Sequence, residues 1–236
     1  MVRLARPGWE CLSSSVKLLL MRYLLPLVCF VSLYACNEPS PSSPTESEAV
    51  ATTESDTAKL APVDTDSALV ATALLAAPAA SRSGCKVIGY NMAGEFVTFR
   101  EGSNDFTCVT DNPNQEGFNA ACYHNSLEPF MTRGRVLREE GRNAQEIFAT
   151  REEEAKSGAL SMPPAGATLH VYFGKEARYD PTTGEVPSAQ YRYVVYLPFA
   201  TAASTGLPET PVAPNHPWIM DPGTHRAHIM ISPVAE

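Results

Sequence analysis

The residues with the most chemical potential are the histidines: His124, His170, His216, His225 and His228. His225 and His228 form an HxxH pair. On a helix that spacing shares one face and can hold a metal ion. Asp221 and His124 are the nearest further candidates for such a set. The local sequence argues against it. Asp221-Pro222-Gly223 is a turn signal, and Ala227-His228-Ile229-Met230-Ile231 reads as a strand. In a regular strand His225 and His228 face opposite sides. The preferred expectation is therefore no metal, with both histidines held by hydrogen bonds near a strand end. HExxH is absent.

Other spacings are weaker still. Asp105, Asp111, Asn112, Asn114 and Glu116 crowd one loop, but Pro113 and the spacing do not fit a calcium loop. The glycine patterns of phosphate loops and the GxSxG elbow are missing. Glu139/Glu140 and Glu152/Glu153/Glu154 read as solvated helix faces, and Arg135/Glu139 as a surface i,i+4 pair. Tyr172, Phe173, Tyr191, Tyr193, Tyr196 and Phe199 are spaced for strands. They are expected in a core, with a lined hydrophobic pocket as the alternative.

These groups must be positioned by a chain of 236 residues, 44% hydrophobic and 19% charged, with net charge −8. That composition excludes collagen-like, coiled-coil and wholly disordered architectures. The acidic balance and lack of an evident basic patch argue against nucleic acid as a partner.

The spacing predicts an α+β domain over residues 84–236: a mainly antiparallel sheet with a central pair of helices. A β meander opens it, with strands at 85–90, 95–100, 105–110 and 118–124. Residues 126–157 carry the helices. Ser126 is the expected first cap, Gly141 the break, Asn143 with Glu146 a capping box, and Gly158 the stop. Strands return at 168–174, 190–198, 216–220 and 225–232, with Asp180-Pro181-Thr182-Thr183-Gly184 as a turn. ATAASTG (200–206) is expected to form a short helix. Residues 68–83 are expected to hold a short Ala-rich helix on the domain edge.

The N-terminus reads as an address. Residues 1–35 combine a basic start with an apolar run from Leu24 to Tyr34, as in a signal peptide, and Met21 offers an internal start. Leu33-Tyr34-Ala35-Cys36 resembles a bacterial lipobox, with the aromatic Tyr34 as its one departure. The resemblance implies cleavage before Cys36, acylation of its thiol and N-acylation. Several acyl chains, at about 0.8 kcal/mol per buried methylene, anchor a protein stably to a membrane. Asn37 after the cysteine favours the outer membrane of a bacterial cell envelope. Residues 36–67 then form an acidic Ser/Thr/Pro tether, expected to be disordered because it lacks the apolar groups to offset chain entropy.

Cys11 and Cys29 leave with the signal, so Cys85, Cys108 and Cys122 remain in an oxidising compartment. Cys108 and Cys122 end neighbouring expected strands and are the expected disulfide; Cys85–Cys108 is the alternative. Three cysteines exclude a four-cysteine zinc site.

FREGSNDFTCVTDN (99–112), ACYH (121–124), the helical pair and HRAHIMISP (225–233) together resemble a group of uncharacterised exported bacterial proteins. That group combines an "LREGxNxxTC…C" pattern with an "H-[IVL]-M-I" ending. The similarity spans about residues 66–233. It implies export, the Cys108/Cys122 pair and a turn at Gly102/Asn104, but no activity, cofactor or ligand. The leading expectation is a lipid-anchored, non-catalytic binding or structural module without a cofactor. The alternatives are a metal-assisted envelope hydrolase using His225/His228, and a carrier of a small hydrophobic ligand.

Overall fold

The computed structural model describes residues 59–232. The expected signal segment, Cys36 and the expected tether up to residue 58 lie outside the described residues. The described elements are α+β, with a mostly antiparallel sheet.

The fold takes in residues ahead of the expected domain boundary. Strand β1 (Ala61–Pro62) pairs antiparallel with β7 (Arg178–Tyr179). The backbone N–H of Val63 donates to Ala177 O at 2.9 Å, and Val63 itself is buried. Thus residues 61–67, expected in the tether, belong to the fold. Helix α1 (Asp66–Leu74) starts at Thr65, whose side chain accepts from the Ala68 N–H. Its Leu69 and Ala73 are fully buried. It therefore packs into the core instead of lying on the domain edge. Small alanines at 73, 76 and 77 let the helix and the turn after it approach the sheet closely.

The main sheet has eight strands: β2 (Lys86–Tyr90), β3 (Phe96–Arg100), β4 (Phe106–Val109), β5 (Phe118–His124), β6 (Ala167–Gly174), β8 (Ala189–Tyr196), β9 (Trp218–Met220) and β10 (His228–Ile231). Their order is β3-β2-β4-β5-β6-β8-β10-β9. Every pairing is antiparallel except β2 with β4. The expected meander is thus corrected. β4 does not pair with β3; it crosses the start of β2 and pairs on its other side. The crossing is the REGSN segment. Ser103 and Asn104 N–H groups donate to Gly84 O at 2.8 and 3.2 Å, and Asn104 Nδ2 donates to Ser81 O at 2.7 Å. A Cβ at Gly102 would lie 2.6 Å from the Lys86 backbone nitrogen, so only glycine lets the chain pass.

Side chains alternate across the sheet. Cys85, Val87, Cys108, Phe118, Ala120, Cys122 and Tyr172 share one face and pack with the Ala73–Ala77 region. Tyr123, Val194, Tyr196 and Met230 share the other and pack with Leu127 and Phe130. That second face is covered by α2 (Glu128–Glu139) and α3 (Ala144–Ser157). Gly141 follows α2 at φ 81°. Asn143 and Glu146 form the capping box, and Gly158 closes α3 in the left-handed conformation. Ser126 is not the cap of α2; it lies in a 3-10 turn (Asn125–Leu127), where its N–H donates to His124 Nδ1 at 3.2 Å. The short helix α4 (Ala202–Thr205) forms behind a Thr201 cap.

Cys108 and Cys122 are register partners on β4 and β5 and form the disulfide, both fully buried under α1. Cys85 is a free, buried thiol, and burial pushes its pKa up despite the Asn104 side chain and the charges of Arg100 and Arg82.

Candidate functional site

The disfavoured metal candidates, His225, His228, Asp221 and His124, are not brought together. Among the described residues no three His, Cys, Asp or Glu side chains converge as an ion would require. His225 lies in the turn before β10, not in the strand. Its Nδ1 is 2.5 Å from Glu152 Oε2, which also accepts the His225 backbone N–H at 2.8 Å. Asp221 is held by Arg226 Nε at 2.7 Å. His228 Nδ1 is 2.7 Å from the Arg226 carbonyl, which fixes that nitrogen as the protonated one. His124 pairs with Ser126 Oγ at 2.8 Å. Asp111, from the acidic loop, accepts the Asn119 N–H at 2.9 Å and closes that loop on β5. Burial pushes its carboxyl above the usual range, with the Asn119 and Asn112 N–H groups opposing.

Glu152 and His225 resemble half of a catalytic triad, yet among the described residues no side chain hydrogen-bonds the far nitrogen of the ring. His225 is fully buried between the Phe130 and Phe148 rings, with centroids at 5.7 and 4.9 Å, and its Nε2 has no hydrogen-bond partner. The pair anchors the 221–227 turn to α3. Burial alone would raise the Glu152 carboxyl, but Lys156 and both His225 donors hold it down to about 2. Burial keeps His225 below its ordinary value; Glu152 opposes this, and Arg151 and Arg226 add to it.

A pH dependence follows. His225 and His228 both bind protons less readily folded than unfolded, chiefly through burial, with Asp221 and Arg226 acting on His228. The unfolded chain therefore takes up the extra protons as pH drops through the ordinary histidine value of 6.5. Stability is expected to be full above that pH and to decline below it. Glu152 adds a second loss as pH falls from 4.5 towards about 2. Urea midpoints at pH 7.5, 6.5 and 5.5 check this. A midpoint that rises at pH 5.5 would mean that folded His225 is a cation paired with Glu152.

The tyrosines divide between the faces. Tyr172, Tyr191 and Tyr193 stack along the α1 side, with centroids 4.6 and 6.2 Å apart. Tyr196 lies on the other side, under α2 and α3. Phe199 sits beyond β8, 40% exposed. They do not form one pocket.

The chemistry that does converge comes from residues that no sequence spacing grouped as a site. A cleft of about 350 Å³ lies between α2–α3 and the sheet. Its walls include Val109, Ala121, Met131, Ile147 and Leu169, with the Tyr123 and Tyr196 rings. Four arginines line it: Arg135, Arg138, Arg151 and Arg226. No acidic side chain does, although the chain carries net charge −8. A second cavity, of about 300 Å³, shares Val109, Asn119, Arg135 and Arg138 and extends past Asp111 to Tyr90 and Phe96. The absence of a basic patch in the sequence is thus corrected by the fold, which gathers cations from two helices and the 221–227 turn.

Two of the four are neutralised. Arg135 donates to Glu128 Oε1 at 2.6 Å and to Tyr123 Oη at 3.2 Å, instead of pairing with Glu139. Arg226 holds Asp221 and lies over the Phe148 ring, 5.0 Å from its centroid. Arg138 reaches the cleft from the exposed side of α2. Arg151 is different. It is 8% exposed, lies 4.0 Å over the Phe130 ring, and donates from Nη1 to Phe130 O at 3.2 Å. Its Nε is buried without a hydrogen-bond partner. The neighbouring carboxylates on α3 are engaged elsewhere: Glu154 by Arg133 at 2.6 Å, and Glu152 by Lys156 and His225. Burial, with the nearby charges of Arg226 and Arg138, pushes the Arg151 guanidinium down to about 10, so it is still a cation at neutral pH. Gly134 makes room for it; a Cβ there would meet Nη1 at 3.0 Å.

No family model matches this chain, and no curated protein or solved structure does either. The cleft's own chemistry carries the functional argument.

Proposed function

We propose that the protein is a lipid-anchored component of the bacterial cell envelope, in the outer membrane, and that its folded unit is a non-catalytic module that binds a small molecule in the cleft between α2–α3 and the sheet. The observation that carries this reading is the cleft itself: apolar walls with a few converging polar groups, at the lower end of small-molecule site volumes. The lipobox-like Leu33-Tyr34-Ala35-Cys36 and the acidic stretch behind it support the anchor. The hydrolase reading finds less support. Asp221, His225 and His228 are each committed to a partner within the fold. Of the two alternatives, a carrier of a small apolar ligand is the one the cleft favours.

The anchor has a direct test. Expressed in a Gram-negative host, the full chain should take up radiolabelled palmitate and sediment with outer membranes. Cys36→Ser should abolish the label and release the protein to the soluble fraction. Labelled or membrane-bound Cys36→Ser protein would remove Cys36 from the account.

A further inference from the structure

We propose that the ligand of this cleft is an organic anion, a carboxylate or phosphate monoester on a short apolar body, and that Arg151 is the group that recognises its head. The inference rests on the binding-module reading and names the ligand class of the same site.

A buried cation without a carboxylate partner is costly, because lost hydration is not replaced. Most folds remove that cost with an internal acid. Here Glu152 and Glu154 on the same helix are turned to other partners, and Glu153 between them is exposed on the outer face. Arg151 stays buried in the cleft wall with one backbone acceptor, one aromatic ring and an unused Nε. An anionic oxygen beside it would supply the missing charge. Guanidinium is suited to this, since it presents several donors in a fixed plane to carboxylate or phosphate. Arg138 adds a second positive charge at the exposed rim. Beside Asn119 and the two tyrosines, the apolar part of the wall, Val109, Ala121, Met131, Ile147 and Leu169, suits a hydrocarbon body. An inorganic anion would leave that surface unfilled, and a neutral amphiphile would leave Arg151 as it is.

The test uses the full chain carrying Cys36→Ser and four probes: octanoate, octyl phosphate, octyl glucoside below its micelle concentration, and inorganic phosphate. Thermal shift and isothermal titration are read for each. Octanoate or octyl phosphate should raise Tm by several degrees and bind at least tenfold more tightly than octyl glucoside or inorganic phosphate. The better of the two identifies the head group. Arg151→Met should lower that affinity at least tenfold while leaving the unliganded Tm unchanged or higher, since it removes an unpaired buried charge. A merely structural Arg151 predicts the reverse: a lower Tm with affinity intact. If Arg151→Met does not fold, Arg138→Gln at the exposed rim should weaken the anion about threefold and leave octyl glucoside unaffected. Equal binding of octyl glucoside and octanoate overturns the anion inference and leaves the binding module standing. No binding by any of the four overturns both.

Discussion

Gly89→Ala should destabilise the folded unit by about 4 kcal/mol, the sum of two independent costs. Gly89 sits in β2 at φ 147°, where a side chain is strained by about 1–3 kcal/mol. It also lies against Thr110. A Cβ at position 89 would fall 2.0 Å from Thr110 Oγ1 and 2.9 Å from the Thr110 backbone nitrogen. Overpacking of that kind costs about 1–3 kcal/mol more. Thr110 cannot simply withdraw, because its N–H donates to Ile88 O at 2.9 Å and continues the β2–β4 pairing. Gly158→Ala separates the two terms. Gly158 has φ 79° and open space where a Cβ would stand, so it should cost only about 1 kcal/mol. For a unit of this size each kcal/mol lowers Tm by roughly 2–4 °C, so the two variants should differ clearly in thermal melts. Equal losses at both positions would show that β2 shifts to accept the methyl group.

Loss of the disulfide is the second large effect. Cys108→Ala/Cys122→Ala should lower stability by about 3 kcal/mol, the chain-entropy value for a loop of this length. The sequence separation is 14 residues, and both sulfurs are fully buried, with Cys122 Sγ 3.3 Å from Ala73 O beneath α1. The same burial predicts a kinetic result. Dithiothreitol should leave the native bridge intact for as long as the fold holds, and cleave it only in urea. Cys85 should resist thiol reagents over the same range, because it is fully buried and its Sγ lies 3.1 Å from Ser81 O. Rapid reduction in native buffer would mean that α1 lifts off the sheet, and mass spectrometry of alkylated samples reads this directly.

Much of the fold was legible because its signals are local. FNAACYH forms β5 over the same residues, 118–124. Asn143 and Glu146 cap α3 as their spacing indicates, since both partners lie within one turn. Asp180 O accepts the Gly184 N–H at 2.7 Å, as the turn sequence suggests. Cys108 and Cys122 were legible as a pair because β4 and β5 are neighbours in both sequence and space. The rest depends on distant contacts. Nothing local in DFTCVT says that β4 passes β3 and joins β2. Nothing in ALVATALLAAPA says that its small residues are used for close approach to a sheet.

The cleft was the least legible feature, for the same reason. The REEE run after Thr150 reads as a solvated face. In the structure Glu154 instead binds Arg133 across the helix pair, and Glu152 binds His225 from 73 residues away. One signal was present. Arg151 is four residues after the buried Ile147, which puts a cation on the apolar side of α3. A charge at a buried helical position, with its sequence neighbours committed elsewhere, is a mark of a binding wall.

The order of the strands has a consequence for how these molecules behave when crowded together in concentrated solution. The sheet is open, so it ends in two free edges. One is closed to intruders: β9 has only three residues, lies between Pro217 and Pro222, and gives its Ile219 N–H to Pro208 O at 2.9 Å. The other, β3, is five residues long and among the described residues pairs only with β2. Stray strand addition, the first step of edge-to-edge aggregation, therefore has one entrance in the main sheet. The irregular register between Val87 and Ile88 twists that β2–β3 ribbon and disfavours the flat stacking that fibrils need.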